Sequence, residues 1–372
     1  MTEPTHRLRA GNAASRRNSG IELLRIIAMF MILAHHFVVH NGFDVATLPI
    51  GFDRFFLEVI LEGSGKVGVV SFFAISAWYL LDREQGLKSS LKRVWLMEGQ
   101  LLFYGIFLFA ALRVMQPGAL EGKDLLRSAL PLINGLWWYM SAYAGFLMLL
   151  PFLRKGLFAL GREAHRNLSL VILSVWGVLP MVPMTGIGND SVFGFCCMAT
   201  VIAYFKWFMK GEGGGTLNPW KFVCLGYGII FAGWMAELAI QVLLGKSIGL
   251  WLVKTTGLAA MAAGFGLFLL FERLEFRSSL VNRLASCATA VYLMTDYVPM
   301  RSALWKGAFD IERFQSFPVP LIAMLGALLA LYAACTGVEL VRRSVSALIS
   351  RHESGFWFEQ LYSFTRKKSG SW

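Results

Sequence analysis

The sequence predicts an all-α polytopic membrane protein, folded as a single bundle of about ten transmembrane helices with both termini in the cytoplasm. Of its 372 residues, 56% are hydrophobic and only 16% are charged. The mean hydropathy is +0.57. A soluble domain carries roughly 25% charged residues, so this composition argues against a soluble enzyme. The aromatic content of 14% also excludes a disordered chain.

Apolar runs long enough to span a bilayer, or nearly so, recur along the whole chain. The second, fourth and sixth runs are short enough to be tilted or partly re-entrant helices. The five cysteines lie in or beside these runs without metal-ligand spacing, so we expect no metal site. The predicted spans are 21–40, 65–81, 94–115, 134–151, 168–185, 193–209, 222–244, 248–271, 285–304 and 317–341.

The basic residues predict the orientation of the bundle. With an even number of spans and cytoplasmic termini, 24 of the 35 Lys and Arg residues fall in inside segments and 9 in outside segments. Cytoplasmic loops of membrane proteins carry such an excess. The net charge of +12 is therefore a signature of topology. A nucleic-acid partner is not expected, because the basic residues are not gathered on one polar domain.

Three segments follow from this distribution. Residues 1–20 form a basic cytoplasmic tail, residues 21–345 form the membrane domain, and residues 346–372 form a cytoplasmic tail of alternating aromatic and basic residues. The composition of the last segment suits the headgroup layer of the bilayer. A disordered basic tail is the alternative.

The first predicted span carries the most informative residues. On a helix with 3.6 residues per turn, Glu22, Arg25, His36 and His40 share one stripe about 60° wide, and His35 lies about a quarter turn away. Ionisable residues within a membrane helix are costly and usually face a polar interior. One polar stripe therefore runs the length of an otherwise apolar helix.

The spacing along this stripe predicts a site with two ends. Arg25 and His36 lie roughly 16 Å apart along the helix axis, at a rise of about 1.5 Å per residue. An arginine suits an anionic phosphate group, and a histidine suits proton transfer near neutral pH. The alternative is that Glu22 and Arg25 extend to the headgroups at one interface while the histidines lie at the other.

This pattern resembles the acyltransferase 3 family, bacterial membrane O-acyltransferases that modify cell-surface glycans and lipid-linked sugars. An acidic residue, an arginine three positions later and a histidine eleven positions after that are matched by Glu22, Arg25 and His36. His35 corresponds to the His-His pair of some members. Three further phrases are similar to family segments and follow in the same order: Ser71–Leu81, Leu136–Phe152 and Val291–Trp305.

Two positions depart from the family pattern. Ala77 stands where the family has a glycine after Ser76, and Thr295 stands where it has a late histidine. Asp296 and Arg301, which follow that histidine in the family, remain. If the histidine shapes the acceptor site, Thr295 puts acceptor choice or activity in doubt. No hydrolase-like domain follows the last span, so the chain is expected to act alone or with a partner.

The resemblance implies a cytoplasmic acyl-coenzyme A donor, most often acetyl-coenzyme A, as a co-substrate and not as a bound cofactor. His36 would be either a general base for the acceptor hydroxyl or a transient acyl carrier, with His35 beside it. Glu22 would pair with Arg25 or orient it. The coenzyme A phosphates would lie near the basic residues Arg25, Lys92 and Arg93. Lys92 and Arg93 are otherwise ordinary positive-inside charge.

The acceptor would be a cell-surface polysaccharide or a lipid-linked glycan at the bacterial inner membrane. Aromatic residues would stack on the sugar; helix packing or an interfacial belt is the alternative explanation for them. The expected acceptor-binding residues are Trp137, Trp138, Tyr139, Tyr143, Asp296 and Arg301. Two rival functions are a transporter or flippase of lipid-linked sugars and an inactive relative that serves as an assembly partner. A homodimer is an open alternative.

Overall fold

The computed structural model describes residues 18–82, 84–118, 120–182, 190–210, 217–247, 249–253, 257–349 and 355–368. These residues form helices and turns and contain no strand. The α-helices in the described ranges are α1 (Ser19–Val39), α2 (Phe52–Phe55), α3 (Ser64–Leu80), α4 (Leu87–Met115), α5 (Gly122–Ala129), α6 (Trp138–Ala159), α7 (Gly161–Ile172), α8 (Val192–Tyr204), α9 (Pro219–Leu244), α10 (Leu258–Glu272), α11 (Ser279–Ala285), α12 (Ala288–Thr295), α13 (Ile311–Phe314), α14 (Pro320–Ile349) and α15 (Phe356–Lys368).

Seven helical segments of the described chain are long and apolar enough to cross a membrane. The chain is therefore an all-helical, multi-pass membrane protein. These segments are Ser19–Val39, Phe52–Leu80, Leu87–Met115, Trp138–Ala159, Val192–Met209, Pro219–Leu244 and Pro320–Leu348. The expected number of about ten spans is not confirmed, and neither is the side on which the termini lie.

The other three predicted spans fall on shorter or interrupted helices. In the predicted span 168–185, α7 ends at Ile172 and passes into a π-helical segment before Pro180. In the span 248–271, α10 has only 15 residues. In the span 285–304, α12 stops at Thr295 after 8 residues. Apolar composition alone does not show where a helix is broken.

The second span begins at Phe52, earlier than the predicted start at residue 65. The added part contains two charged residues, and both are buried. Arg54 donates from Nε to Glu58 Oε2 at 3.0 Å, and Trp234 of α9 donates to the same oxygen at 2.6 Å. The Arg54 guanidinium also donates to Gln241 Oε1 at 2.8 Å. Mutual neutralisation lets a helix with these charges lie inside the bundle.

Helix α1 lies at the centre of the bundle and packs against α3, α10, α11 and α12. Its first turn is capped by Asn18, whose side chain accepts a hydrogen bond from the Gly20 amide at 2.8 Å. A Cβ atom at Gly20 would lie 2.0 Å from the carbonyl oxygen of Leu274. Only glycine allows this approach, which fixes the end of α1 that carries Glu22 and Arg25.

Small residues of α3 bring it close to α1. A Cβ atom at Gly65 would lie 2.2 Å from the His35 ring, and one at Gly68 would lie 2.6 Å from the carbonyl oxygen of Ala28. Close backbone approach at small residues is how membrane helices gain packing contacts. His35 consequently faces the start of α3, and its Nδ1 lies 2.7 Å from the carbonyl oxygen of Glu62, just before that helix.

Two indole rings stabilise the break after α12. Carbonyl groups in the last turn of a helix lack partners within that helix. Trp137 donates from Nε1 to the Leu293 carbonyl at 3.1 Å, and Trp305 donates to the Thr295 carbonyl at 3.2 Å. Both tryptophans are fully buried. They hold Asp296 at a fixed position at the end of the helix.

The C-terminal helix α15 packs on the basic end of α4. Glu359 pairs with Lys88 at 2.7 Å and with Lys92 at 2.9 Å. Hydrogen bonds from these lysines lower the pKa of the Glu359 carboxyl. Phe358 lies against Trp95 of α4. The predicted boundary at residue 345 falls inside α14, which continues to Ile349.

Candidate active site

One end of the site is a cluster of two imidazoles, a carboxylate and a guanidinium. Oδ1 of Asp296 lies 3.7 Å from His36 Nδ1 and 3.6 Å from His40 Nε2. Arg301 donates from Nε to the same oxygen at 2.8 Å. The Asp296 side chain is 1% exposed, and the His36 side chain is 11% exposed. A buried carboxylate is thus surrounded by groups that compensate its charge.

This arrangement suits a histidine that accepts a proton at its other nitrogen. A carboxylate beside Nδ1 favours the tautomer with a proton there, which leaves the lone pair of Nε2 free. One nitrogen or oxygen atom each of His36, His40 and Asp296 also lies within 4.8 Å of the others, close enough for the three to bind one metal ion. The Arg301 guanidinium already supplies positive charge at Asp296 Oδ1, which favours pairing with imidazole over binding of a cation.

Thr295, which stands where the family has a histidine, does not point into this cluster. Its hydroxyl donates to the Val291 carbonyl of its own helix at 2.8 Å. The second imidazole on Asp296 instead comes from His40, one helical turn after His36, and the two rings lie 5.2 Å apart. The cluster therefore has two histidines although position 295 supplies none.

A small cavity of about 30 Å³ lies beside His36. Side chains of α1, α3, α6 and α12 enclose it, and most of them are apolar or aromatic. The volume is close to that of one water molecule, so only a small group fits beside the imidazole. The lining residues are Met29, Ile32, His36, Val69, Phe72, Trp138, Tyr139, Met140, Thr289 and Tyr292.

A larger cavity of about 340 Å³ adjoins the first one. Arg25 and Arg93 line it, and polar atoms contribute about as much of its wall as apolar atoms do. The two cavities share four lining residues, which form the partition between them: Phe72, Tyr139, Met140 and Thr289. The two arginines and His36 thus lie on opposite sides of this partition.

Two of the three expected donor-binding residues line the larger cavity, and the third does not. Arg25 and Arg93 both line the larger cavity, and Glu22 accepts a hydrogen bond from Arg25 at 2.8 Å. Lys92 does not line this cavity and pairs with Glu359 of α15. Adjacent residues on a helix point about 100° apart, which separates Lys92 from Arg93.

Three of the four expected acceptor-binding aromatic residues line one or both cavities. Trp138 lines the small cavity, Tyr143 lines the larger one, and Tyr139 lines both. Trp137 lines neither, because it is packed under the break after α12. His35, which the sequence placed beside His36 as a catalytic residue, lines neither cavity and contacts the Glu62 carbonyl.

Several side chains of the site were not among the residues selected from the sequence. His40 belonged to the predicted stripe, so its helical position was a signal for it. Tyr292 lies in a phrase that resembles the family, and its ring is 6.2 Å from that of His36. Gln100 and Ser286 of the larger cavity carried no signal, because isolated polar residues occur throughout the chain.

A third cavity, of about 450 Å³, lies between α7, α8, α9 and α10. Its walls are almost entirely apolar, and Arg166 is the charged residue that lines it. Among the described residues, no histidine and no carboxylate lines it. The chemistry of group transfer therefore points to the two cavities along α1.

The comparison with protein families agrees with this geometry. The family model of acyltransferase 3, described as an acyltransferase domain, matches residues 18–337. The match covers α1, both adjoining cavities and the Asp296 cluster. No curated protein and no solved structure gives a significant match. The chain belongs to the acyltransferase 3 family and is a multi-pass membrane acyltransferase.

Proposed function

We propose that this protein transfers an acyl group, most simply acetyl, from acyl-coenzyme A to a hydroxyl group of a polysaccharide or lipid-linked glycan. The observation that carries this proposal is the pair of adjoining cavities, with arginines in one and the His36–Asp296 pair at the other. We assign the arginine end to the cytoplasmic face and the His36 end to the outer half of the inner membrane.

The larger cavity supports an anionic donor. Arg25 is compensated by Glu22, whereas Arg93 lines the cavity without an acidic partner among the described residues. A guanidinium without a counter-charge suits the phosphates of coenzyme A, because its planar fork can donate two parallel hydrogen bonds. The acyl end of the donor would then extend past the partition towards His36.

The small cavity supports the chemistry of transfer. His36 Nε2 takes the proton of the acceptor hydroxyl while the acceptor oxygen bonds to the thioester carbon. The C–S bond then breaks, and the departing thiolate takes the proton from the imidazolium. Asp296 stabilises the imidazolium through its position 3.7 Å from Nδ1. In the alternative with an acyl-histidine, Nε2 bonds to the thioester carbon and the thiolate leaves. The acceptor oxygen then bonds to the acyl carbon as the C–Nε2 bond breaks, and the thiolate takes the hydroxyl proton.

The test of this function uses washed membranes that contain or lack the protein. Membranes receive labelled acetyl-coenzyme A and lipid-linked glycan, and label in the glycan is measured. We expect label transfer only where the protein is present. If there is no transfer but glycan export requires the protein, the flippase is the better assignment. If transfer requires a second protein and survives loss of His36, the chain is an assembly partner.

The first variant tests the donor end. Replacing Arg93 with glutamate is expected to raise KM for acyl-coenzyme A roughly 10- to 100-fold, because a charge-assisted hydrogen bond is lost. The value of kcat at saturating donor should change little. Lys155→Glu is the matched control, because this exposed lysine carries the same charge change and lies outside the cavity. Equal KM values in the two variants would remove Arg93 from the donor site.

A second variant tests the acyl length. The cavity beside His36 is too small for a long chain, so acetyl should be preferred over butyryl. Met29→Ala enlarges this cavity and is expected to raise the butyryl-to-acetyl ratio of kcat/KM by about tenfold. Met324→Ala is the control, because this methionine is equally buried but lines neither cavity. An unchanged ratio in Met29→Ala would contradict the placement of the acyl group.

A further inference from the structure

The Tyr139 hydroxyl is buried at the partition between the two cavities and has no hydrogen-bond partner among the described residues. Tyr139 is 7% exposed. Leaving a buried hydroxyl unpaired costs about 1–3 kcal/mol. Folded proteins contain few such groups, and each calls for a physical explanation.

The ring of Tyr139 is fixed from several sides. Phe72 contacts it edge-on at 6.0 Å between centroids, and Phe195 does so at 5.1 Å. Tyr143 stacks on it at 6.1 Å. A ring held in this way cannot turn easily, so its hydroxyl stays at the partition. The adjoining cavities leave room there for a bound molecule that accepts its hydrogen.

We propose that the Tyr139 hydroxyl donates a hydrogen bond to the carbonyl oxygen of the donor thioester and is a catalytic residue of the transfer. This inference rests on the proposed function, because that function supplies the thioester. A donor whose phosphates lie at the arginines and whose acyl end reaches His36 must pass the partition. The carbonyl group then lies between the two cavities, where Tyr139 borders both.

The hydrogen bond strengthens as the reaction proceeds. When the acceptor oxygen bonds to the thioester carbon, the carbonyl oxygen gains a negative charge, and His36 takes the acceptor proton. When the C–S bond breaks, the electron pair of this oxygen re-forms the C=O double bond, the charge leaves with the sulfur, and the thiolate takes the proton from His36. A fixed hydrogen-bond donor in a site of low polarity stabilises such an oxyanion more than it stabilises the ground state.

The other two tyrosines of the cavities fit this role less well. Tyr143 lines only the larger cavity, so its hydroxyl lies on the side of the arginines. Tyr292 lines only the small cavity, and its ring lies beside His36. Tyr139 alone among these three borders both spaces.

The experiment compares Tyr139→Phe with Tyr332→Phe. The Tyr332 hydroxyl is also buried and unpaired among the described residues, but Tyr332 lines neither cavity. We expect Tyr139→Phe to lower kcat about 10²- to 10³-fold, as loss of one oxyanion donor does. Binding of a thioether analogue of acetyl-coenzyme A, which lacks the carbonyl oxygen, should be unchanged. Tyr332→Phe should keep the wild-type kcat.

Thermal unfolding in detergent separates this role from a structural one. Removing an unpaired buried hydroxyl should leave Tm unchanged or raise it, so a lower kcat with an unchanged or higher Tm supports the proposal. A wild-type kcat in Tyr139→Phe would overturn it, and so would a fall in Tm or in analogue binding together with kcat. His36→Gln distinguishes failure of the proposed function from failure of the role of Tyr139. If that variant is inactive while Tyr139→Phe is fully active, the proposed function stands and only the role of Tyr139 fails.

Discussion

Replacing His36 with glutamine is expected to lower the rate of acyl transfer by about 10²- to 10⁴-fold, the range that a general base contributes. Glutamine keeps a polar side chain near Asp296 but cannot take the hydroxyl proton. The measurement is transfer of labelled acetyl at saturating donor and acceptor. Because the arginine cavity is unchanged, binding of the thioether analogue should be retained. The loss should therefore appear in kcat.

His165→Gln is the matched control for this variant. His165 is also a buried histidine, but its Nε2 contacts the Thr200 carbonyl at 2.9 Å and it lines neither cavity along α1. Its rate should stay at the wild-type level. Transfer that persists in His36→Gln would remove His36 from the reaction. Incubation without acceptor also distinguishes the two mechanisms, because label bound to wild type and absent from His36→Gln indicates an acyl-histidine.

Replacing Asp296 with asparagine is expected to have the second large effect. The carboxylate is fully buried and contacts His36, His40 and Arg301. An amide removes the charge that stabilises the imidazolium and can favour the wrong His36 tautomer. In a serine protease the corresponding change lowers kcat about 10⁴-fold. We expect a loss on the order of 10²- to 10⁴-fold here, measured by the same transfer assay.

The neighbouring residue supplies the control for Asp296→Asn. Thr295→Val removes a hydroxyl that donates to the Val291 carbonyl of its own helix and not to the cluster, so activity should be retained. Asp296→Asn also leaves Arg301 without its carboxylate, so its thermal stability must be measured beside the rate. A stable Asp296→Asn protein with wild-type activity would show that His36 acts without the carboxylate.

The sequence determined much of the architecture and one half of the site. Apolar content predicted an all-helical membrane protein, because a chain in lipid must satisfy its backbone hydrogen bonds within its own segments. The helical period related Glu22, Arg25, His36 and His40 within a single helix, where spacing alone sets direction. The order of four similar phrases indicated the acyltransferase 3 family.

Only the tertiary structure decided which residues meet across helices. Arg93 and Lys92 have the same charge at adjacent positions. Lys92 nevertheless pairs with Glu359 of α15, whereas Arg93 lines the cavity. Trp137 and Trp138 are likewise separated by the break after α12. Asp296 reaches His36 across 260 residues of chain because two indoles hold that break. Contacts of this kind depend on how helices pack, and the period of one helix carries no information about its neighbour.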